Sequence, residues 1–153
     1  MAFYQFKREQ KVRASLDDVW NFISSPRNLG KITPGYMGFE ISNSISNKQI
    51  YEGMVISYKV SPLFNIKMQW VTEITHIKEK EYFVDEQRVG PYVMWHHQHR
   101  IKKIGRYVHM SDTVSYVPPL GILGRAANAI IIRKKLNEIF DFREHAFTEL
   151  ISE

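Results

Sequence analysis

The chain has 153 residues, a formal charge of +5 from 21 basic and 16 acidic residues, and no cysteine. That length suits one domain, residues 1–153, with one core and no need of staples. The missing cysteines exclude disulfides and thiolate metal sites, and 44% hydrophobic with 13% aromatic residues excludes a disordered chain.

Residues 3–12 read as an opening strand, with weak alternation over residues 6–12. Ser15 is placed to cap a helix, and Asp17 and Asp18 fall in its first turn, where a helix favours negative charge. Leu16, Val19, Trp20 and Ile23 follow at helical spacing. Ser24-Ser25-Pro26 ends this helix, and a second short helix is expected over residues 27–32, before Pro34-Gly35. Between residues 36 and 117 the period becomes two. The predicted strands are residues 38–46, 53–60, 66–77, 82–89, 93–103 and 106–117, separated by polar or Gly/Pro breaks. Beyond Pro118-Pro119 and Gly121, the apolar residues Ile132, Leu136, Ile139, Phe140, Phe147 and Leu150 mark one face of a long helix over residues 123–150.

This order implies an α+β fold. A curved antiparallel sheet of about seven strands wraps around the long C-terminal helix, with two short helices after strand 1. Long strands with short connections favour the antiparallel meander. A sheet with one face to cover can be covered by one amphipathic helix, and the space between them is a natural ligand site.

No apolar run reaches the length of a membrane span. The start, Met1-Ala2-Phe3-Tyr4-Gln5-Phe6-Lys7-Arg8, lacks the apolar block of a signal peptide. The expectation is a soluble, cytoplasmic protein. Its basic residues are dispersed except at Arg133-Lys134-Lys135 and over residues 100–106, which argues against nucleic acid as a partner. The oligomeric state is not encoded in any pattern of the sequence.

Several stretches carry a family resemblance: Val12-Arg13-Ala14-Ser15 with Val19-Trp20, Phe83-Val84-Asp85-Glu86-Gln87, and Gly90-Pro91-Tyr92. Trp95, His97, His99, Asp112, Val114, Tyr116, Pro118 and Gly121 continue it, and Ile139-Phe140-Asp141-Phe142-Arg143 closes it. In these residues and in element order, over essentially the whole chain, the protein resembles the START-like, helix-grip superfamily. That group includes polyketide cyclase-like proteins, Bet v 1-like plant allergens and lipid-transfer domains. The Gly-Pro-Tyr to Trp-x-His-x-His stretch points to its small bacterial branch. The resemblance implies a helix-grip fold with a ligand cavity and leaves the contents of that cavity open.

Folding residues 93–117 about a turn at Ile104-Gly105 aligns 101 with 108, 99 with 110, 97 with 112 and 95 with 114. Val93, Trp95, His97, His99, Ile101, Val108, Met110, Asp112, Val114 and Tyr116 then share the more apolar face, which must point inward. The preceding hairpin aligns Trp70 with Val89, Thr72 with Gln87, Ile74 with Asp85 and His76 with Phe83. Asp85 and Gln87 thereby join His97, His99 and Asp112. The candidate ligand-binding residues are His97, His99, Asp112, Asp85, Gln87, Trp95, Met110, Tyr116, Phe83 and Arg143.

His97 and Asp112 can form an imidazole–carboxylate pair, either a polar anchor or an acid–base couple. His-x-His on a strand can bind a divalent metal, with Asp112 or Asp85 as a third ligand, but the pair is weak evidence until that ligand is well placed, and no metal and no cofactor are expected. There is no Gly-x-Ser-x-Gly elbow and no phosphate loop, since Gly121-Ile122-Leu123-Gly124 lacks the Lys-Ser/Thr. The expected function is binding, for transport or sensing, of a largely apolar small molecule anchored by a His/Asp group. The alternative is a cyclase- or dehydratase-like enzyme using His97-Asp112 chemistry.

Overall fold

A computed structural model describes residues 1–44, 49–62 and 64–152. Strand β1 (Tyr4–Val12) leads into helix α1 (Leu16–Ile23) and two 3-10 turns, Pro26–Ile32 and Gly35–Met37. Strands β2 (Glu40–Ile41), β3 (Val55–Val60), β4 (Met68–Lys78), β5 (Tyr82–Val89), β6 (Met94–Ile104) and β7 (Tyr107–Val117) follow. The C-terminal helix comprises α2 (Gly121–Ala127), a π-helical turn (Asn128–Ile132) and α3 (Arg133–Ile151). The sheet is antiparallel, in the order β1-β7-β6-β5-β4-β3-β2. Among the described residues no helix is long and apolar enough to cross a membrane.

Local chemistry sets the element ends. Ser15 Oγ accepts from Asp18 N at 3.0 Å, so α1 starts where the cap residue stands. The helix expected over residues 27–32 is a 3-10 turn that begins at Pro26, whose ring presets the first φ. The strand expected over residues 38–46 shrinks to Glu40–Ile41. Asn43 takes over the edge of β3 with its side chain: Oδ1 accepts from Ser57 N and Nδ2 donates to the Val55 carbonyl. A side chain satisfies those backbone groups in place of a ladder. Residues 45 and 46 of that expected strand lie outside the described residues. β4 starts two residues late because Phe64 and Asn65 hold positive φ.

Two registers differ from the sequence reading. In the β6–β7 hairpin Ile104 pairs with Tyr107, so the turn is Gly105-Arg106 rather than Ile104-Gly105. Gly105 takes φ 59°, the left-handed conformation that favours glycine at the first loop position of a type II′ turn. Partners slide by two: Trp95 pairs with Tyr116, His97 with Val114, His99 with Asp112 and Ile101 with Met110. A slide of two leaves every side chain on its expected face. In the β4–β5 hairpin Thr72–Gln87 and Ile74–Asp85 pair as read, but irregularities on either side pair Val89 with Val71 and His76 with Val84.

The core divides into two apolar clusters. One gathers Val19, Trp20, Ile74, Phe83, Val108 and Phe147; the other gathers Phe6, Trp70, Val114, Tyr116, Leu136 and Phe140. The C-terminal helix covers the sheet as expected, but it begins at Gly121 and carries a π-helical turn. That turn is tied to the sheet. Asn128 is buried, and its Oδ1 accepts from the Tyr116 hydroxyl at 2.5 Å. Gly124 brings the first turn of the helix against the chain before it, where a Cβ would collide with the Pro119 carbonyl oxygen. Gly124→Ala is expected to destabilise by about 1–3 kcal/mol through that overpacking, read from urea unfolding; an unchanged midpoint would contradict the packing.

Candidate functional site

Between the two clusters lies a cavity of about 180 Å³, walled by the sheet, the 3-10 turns and α3. Most of its wall is apolar: Ile56, Trp70 and Ile74 from the sheet, Leu29 and Ile32 from the turn, Leu136 and Ile139 from α3. A titratable polar patch interrupts it, formed by Asp85 on β5, His97 and His99 on β6, and Asp112 on β7. Alternation along β6 puts both histidines on one side of the strand. Their rings sit 3.7 Å apart between centroids. His99 stacks on Phe83 at 4.1 Å, and His97 meets the Phe140 ring at 5.9 Å. The patch is therefore clamped between one aromatic from each core cluster.

The four side chains close a ring of contacts. His97 Nε2 lies 2.7 Å from Asp112 Oδ1, and His99 Nε2 lies 2.6 Å from Asp85 Oδ2. The remaining nitrogens face the same oxygens, His99 Nδ1 to Asp112 Oδ1 at 3.1 Å and His97 Nδ1 to Asp85 Oδ2 at 3.8 Å. Since ionised carboxylates only accept, His97 donates from Nε2 to Asp112 and His99 from Nε2 to Asp85. His97 reaches Asp112 diagonally, because its strand partner is Val114.

The charges follow from the same geometry. Burial opposes a charge on His99, but the Asp112 and Asp85 carboxylates outweigh it and raise its pKa to about 9. Burial dominates at His97 and, with the His99 charge, lowers its pKa despite Asp112. Asp112 and Asp85 resist ionisation by burial, yet the imidazoles facing them pull both below the usual carboxylate range. At neutral pH the patch holds two carboxylates, an imidazolium at His99 and a neutral His97. Arg143 reaches the cavity from α3 with its guanidinium over the Phe140 ring at 5.0 Å, and its charge favours ionised Asp85. Thr72 Oγ1 donates to the Glu86 carbonyl at 3.1 Å and lies 3.3 Å from Asp85 Oδ1. Burial and the Asp85 charge push the Tyr58 hydroxyl far up, so it stays a donor.

Of the ten residues singled out in the sequence, His97, His99, Asp112, Asp85, Trp95, Met110, Phe83 and Arg143 line the cavity. Gln87 and Tyr116 do not line it. Gln87 holds the β5–β6 loop by donating from Nε2 to the Tyr92 carbonyl at 2.7 Å and accepting from Tyr92 N at 3.2 Å. Tyr116 spends its hydroxyl on Asn128. The sequence reading missed Thr72, Gln10 and the 3-10 turn residues as lining groups. Thr72 had a signal, since it falls on the inward face with Asp85; the turn residues had none, because no periodicity aims a 3-10 turn.

No family model matches the chain, and no curated protein matches it. Solved structures do match in shape. The chain has the START/Bet v 1-like helix-grip fold. A START superfamily protein from Mycobacterium smegmatis superposes with a TM-score of 0.70 at 11% identity, over 96% of each chain. A protein from Chromobacterium violaceum gives 0.72 at 11% identity, over 97% of this chain and 98% of that one. Major latex-like protein 151 from Panax ginseng gives 0.65 at 10% identity, over 96% of each. At such identities the helix-grip likeness fixes the path of the backbone, and the chemistry rests on this chain's own side chains.

The raised His99 favours folding below the ordinary histidine value, and that contribution is lost as pH rises through about 9. Imidazole NMR of EDTA-treated protein should find His99 still protonated at pH 8, and His97 neutral there with its proton on Nε2. Two histidines titrating together near the ordinary value would contradict the ring of contacts.

Proposed function

We propose that this helix-grip chain binds a largely apolar small molecule in the cavity, with a polar group of that molecule held at the Asp85/His97/His99/Asp112 patch. The observation that carries the reading is the juxtaposition itself: a mostly apolar cavity with the His/Asp cluster on its wall. Apolar walls supply affinity roughly in proportion to the area they cover. A few fixed polar groups supply orientation, and the Arg143 Nε, partnerless among the described residues, is one that an oxygen of the ligand would satisfy.

Arg143 narrows the choice. Among the described residues it makes no ion pair within 4.0 Å, and its Nε is buried without a hydrogen-bond partner. A guanidinium at a cavity wall favours an acceptor-rich or anionic group on the bound molecule. The ligand class that fits best is therefore amphipathic, with an apolar body along Trp70, Trp95 and Leu136 and an oxygen-bearing end near Arg143 and the histidines.

Anilinonaphthalene sulfonate, an apolar aromatic with one anionic group, is a suitable probe. The wild-type protein should bind it saturably. Ile139→Trp places a larger side chain on the cavity wall and should weaken binding at least about tenfold, or 1.4 kcal/mol, with an unchanged near-UV circular dichroism spectrum. Absence of saturable binding, or equal binding by the folded Ile139→Trp variant, would overturn the reading.

A further inference from the structure

The Asp85/His97/His99/Asp112 ring has a second chemical reading. Asp85, His97 and His99 each offer one ligand atom within 4.8 Å of the others, and Asp85 Oδ2 faces His97 Nδ1 and His99 Nε2. We propose that Asp85 Oδ2, His97 Nδ1 and His99 Nε2 form a binding site for a divalent transition-metal ion, with Asp112 as the outer carboxylate behind both imidazoles. His-x-His alone is a weak sign. The fold adds the placement that the sequence left open: Asp85 on the neighbouring strand stands with the two histidines as third ligand, and Asp112 faces the two far nitrogens.

The distances fit this use. A metal bound through imidazole nitrogen and carboxylate oxygen at about 2.0–2.2 Å sets its tetrahedral ligand atoms roughly 3.4 Å apart. His99 Nε2 stands 2.6 Å from Asp85 Oδ2, and His97 Nδ1 stands 3.8 Å from the same oxygen. Those values straddle the required separation, so sub-ångström rotations bring both to it. The proton that joins His99 Nε2 to Asp85 leaves to solvent as the ion takes its place, because metal and proton compete for one lone pair.

The far side of each ring carries the stronger argument. A histidine that ligates through one nitrogen must hold its proton on the other, and a carboxylate commonly fixes that tautomer. His97 would ligate through Nδ1, and its Nε2 meets Asp112 Oδ1 at 2.7 Å. His99 would ligate through Nε2, and its Nδ1 meets the same Asp112 oxygen at 3.1 Å. One carboxylate oxygen thus faces the far nitrogen of both rings, hydrogen-bonded to His97 and at ion-pair distance from His99, although the rings present opposite nitrogens. A pair of self-satisfied His–Asp contacts needs no such sharing.

Charge and donor type set the ion. Two partly buried carboxylates with two neutral imidazoles leave two negative charges, which one dication cancels. Two nitrogens and one oxygen favour zinc, iron(II), cobalt or nickel over calcium and magnesium, which prefer all-oxygen shells. Three protein ligands leave a coordination position free, and the cluster lines the cavity, so that position is available to water or to an oxygen of a bound molecule. The metal site stands on its own geometry and does not require the cavity to hold an organic ligand.

The test uses the full chain, treated with EDTA and then dialysed. Calorimetry with zinc chloride should give one equivalent bound, and cobalt(II) should develop the visible d–d absorption of a low-coordinate site. His97→Ala and His99→Gln should abolish both signals, and Asp112→Asn should weaken zinc binding by roughly 10- to 100-fold. His96→Ala, His109→Ala and His145→Ala, all outside the cavity lining, should leave it unchanged. Should the cluster variants fail to fold, imidazole NMR of the wild type still decides: zinc must shift His97 and His99. No stoichiometric binding, or zinc shifts confined to His76, His96, His109 or His145, would overturn the proposal.

Discussion

Two carboxylates and two imidazoles, closed into one ring of contacts across β5, β6 and β7, set the terms for the rest of the structure. Burying an isolated charge costs several kcal/mol even after relaxation. Here each charge is placed within reach of an opposite one, and Arg143 adds a further positive charge from the helix side. Loss of either imidazole removes one of the two positive or donor groups facing each carboxylate, which leaves that carboxylate less well compensated in a largely desolvated place. The three strands must therefore hold their relative registers. The β5–β6 pairing of Asp85 with His97 and the β6–β7 pairing of His99 with Asp112 are the two that bring the ring together.

The surrounding packing keeps that ring open on one side. Phe83 and Phe140 clamp the imidazoles, so the rings cannot swing into the apolar walls. The α3 face meets the sheet through Leu136, Phe140 and Phe147. Upstream, the π-helical turn and its Tyr116–Asn128 hydrogen bond fix the helix against β7. A π turn inserts extra backbone into the helix and rotates the phase of every later residue. The same chain that anchors the helix thus determines which side chains of α3 reach the cavity. Gln87 has a comparable duty at the β5–β6 loop, where its amide replaces two backbone partners for Tyr92.

Much of this was legible in the residues. The period-two pattern of β6 and β7 assigned His97, His99 and Asp112 to the inner face, and that assignment survived an error of two in the register because parity alone decides the face. Partner identity was not legible. It depended on whether Ile104-Gly105 or Gly105-Arg106 made the turn, and the pairing of Ile104 with Tyr107 settles that. The β4–β5 irregularities left no local sign, yet Thr72–Gln87 and Ile74–Asp85 lie between them and were read in register. The short β2 was overread because Asn43, a residue that breaks strands by bonding with its side chain, sits inside an otherwise alternating run. The π-helical turn was invisible to an apolar count that tolerates one inserted residue. Gln87 and Tyr116 share the parity of the cavity residues, but their polar atoms are engaged by a loop and a helix that periodicity does not position.

The central claim is that the polar ring opens onto a cavity able to take a molecule. A crystal structure of the protein purified from its source tests it most directly. The account predicts an unfilled or ligand-filled space beside Asp85, His97, His99 and Asp112, bounded by Trp70, Trp95, Leu136 and Ile139. An interior closed by repacked side chains, with the four polar residues sealed from any space, would contradict it.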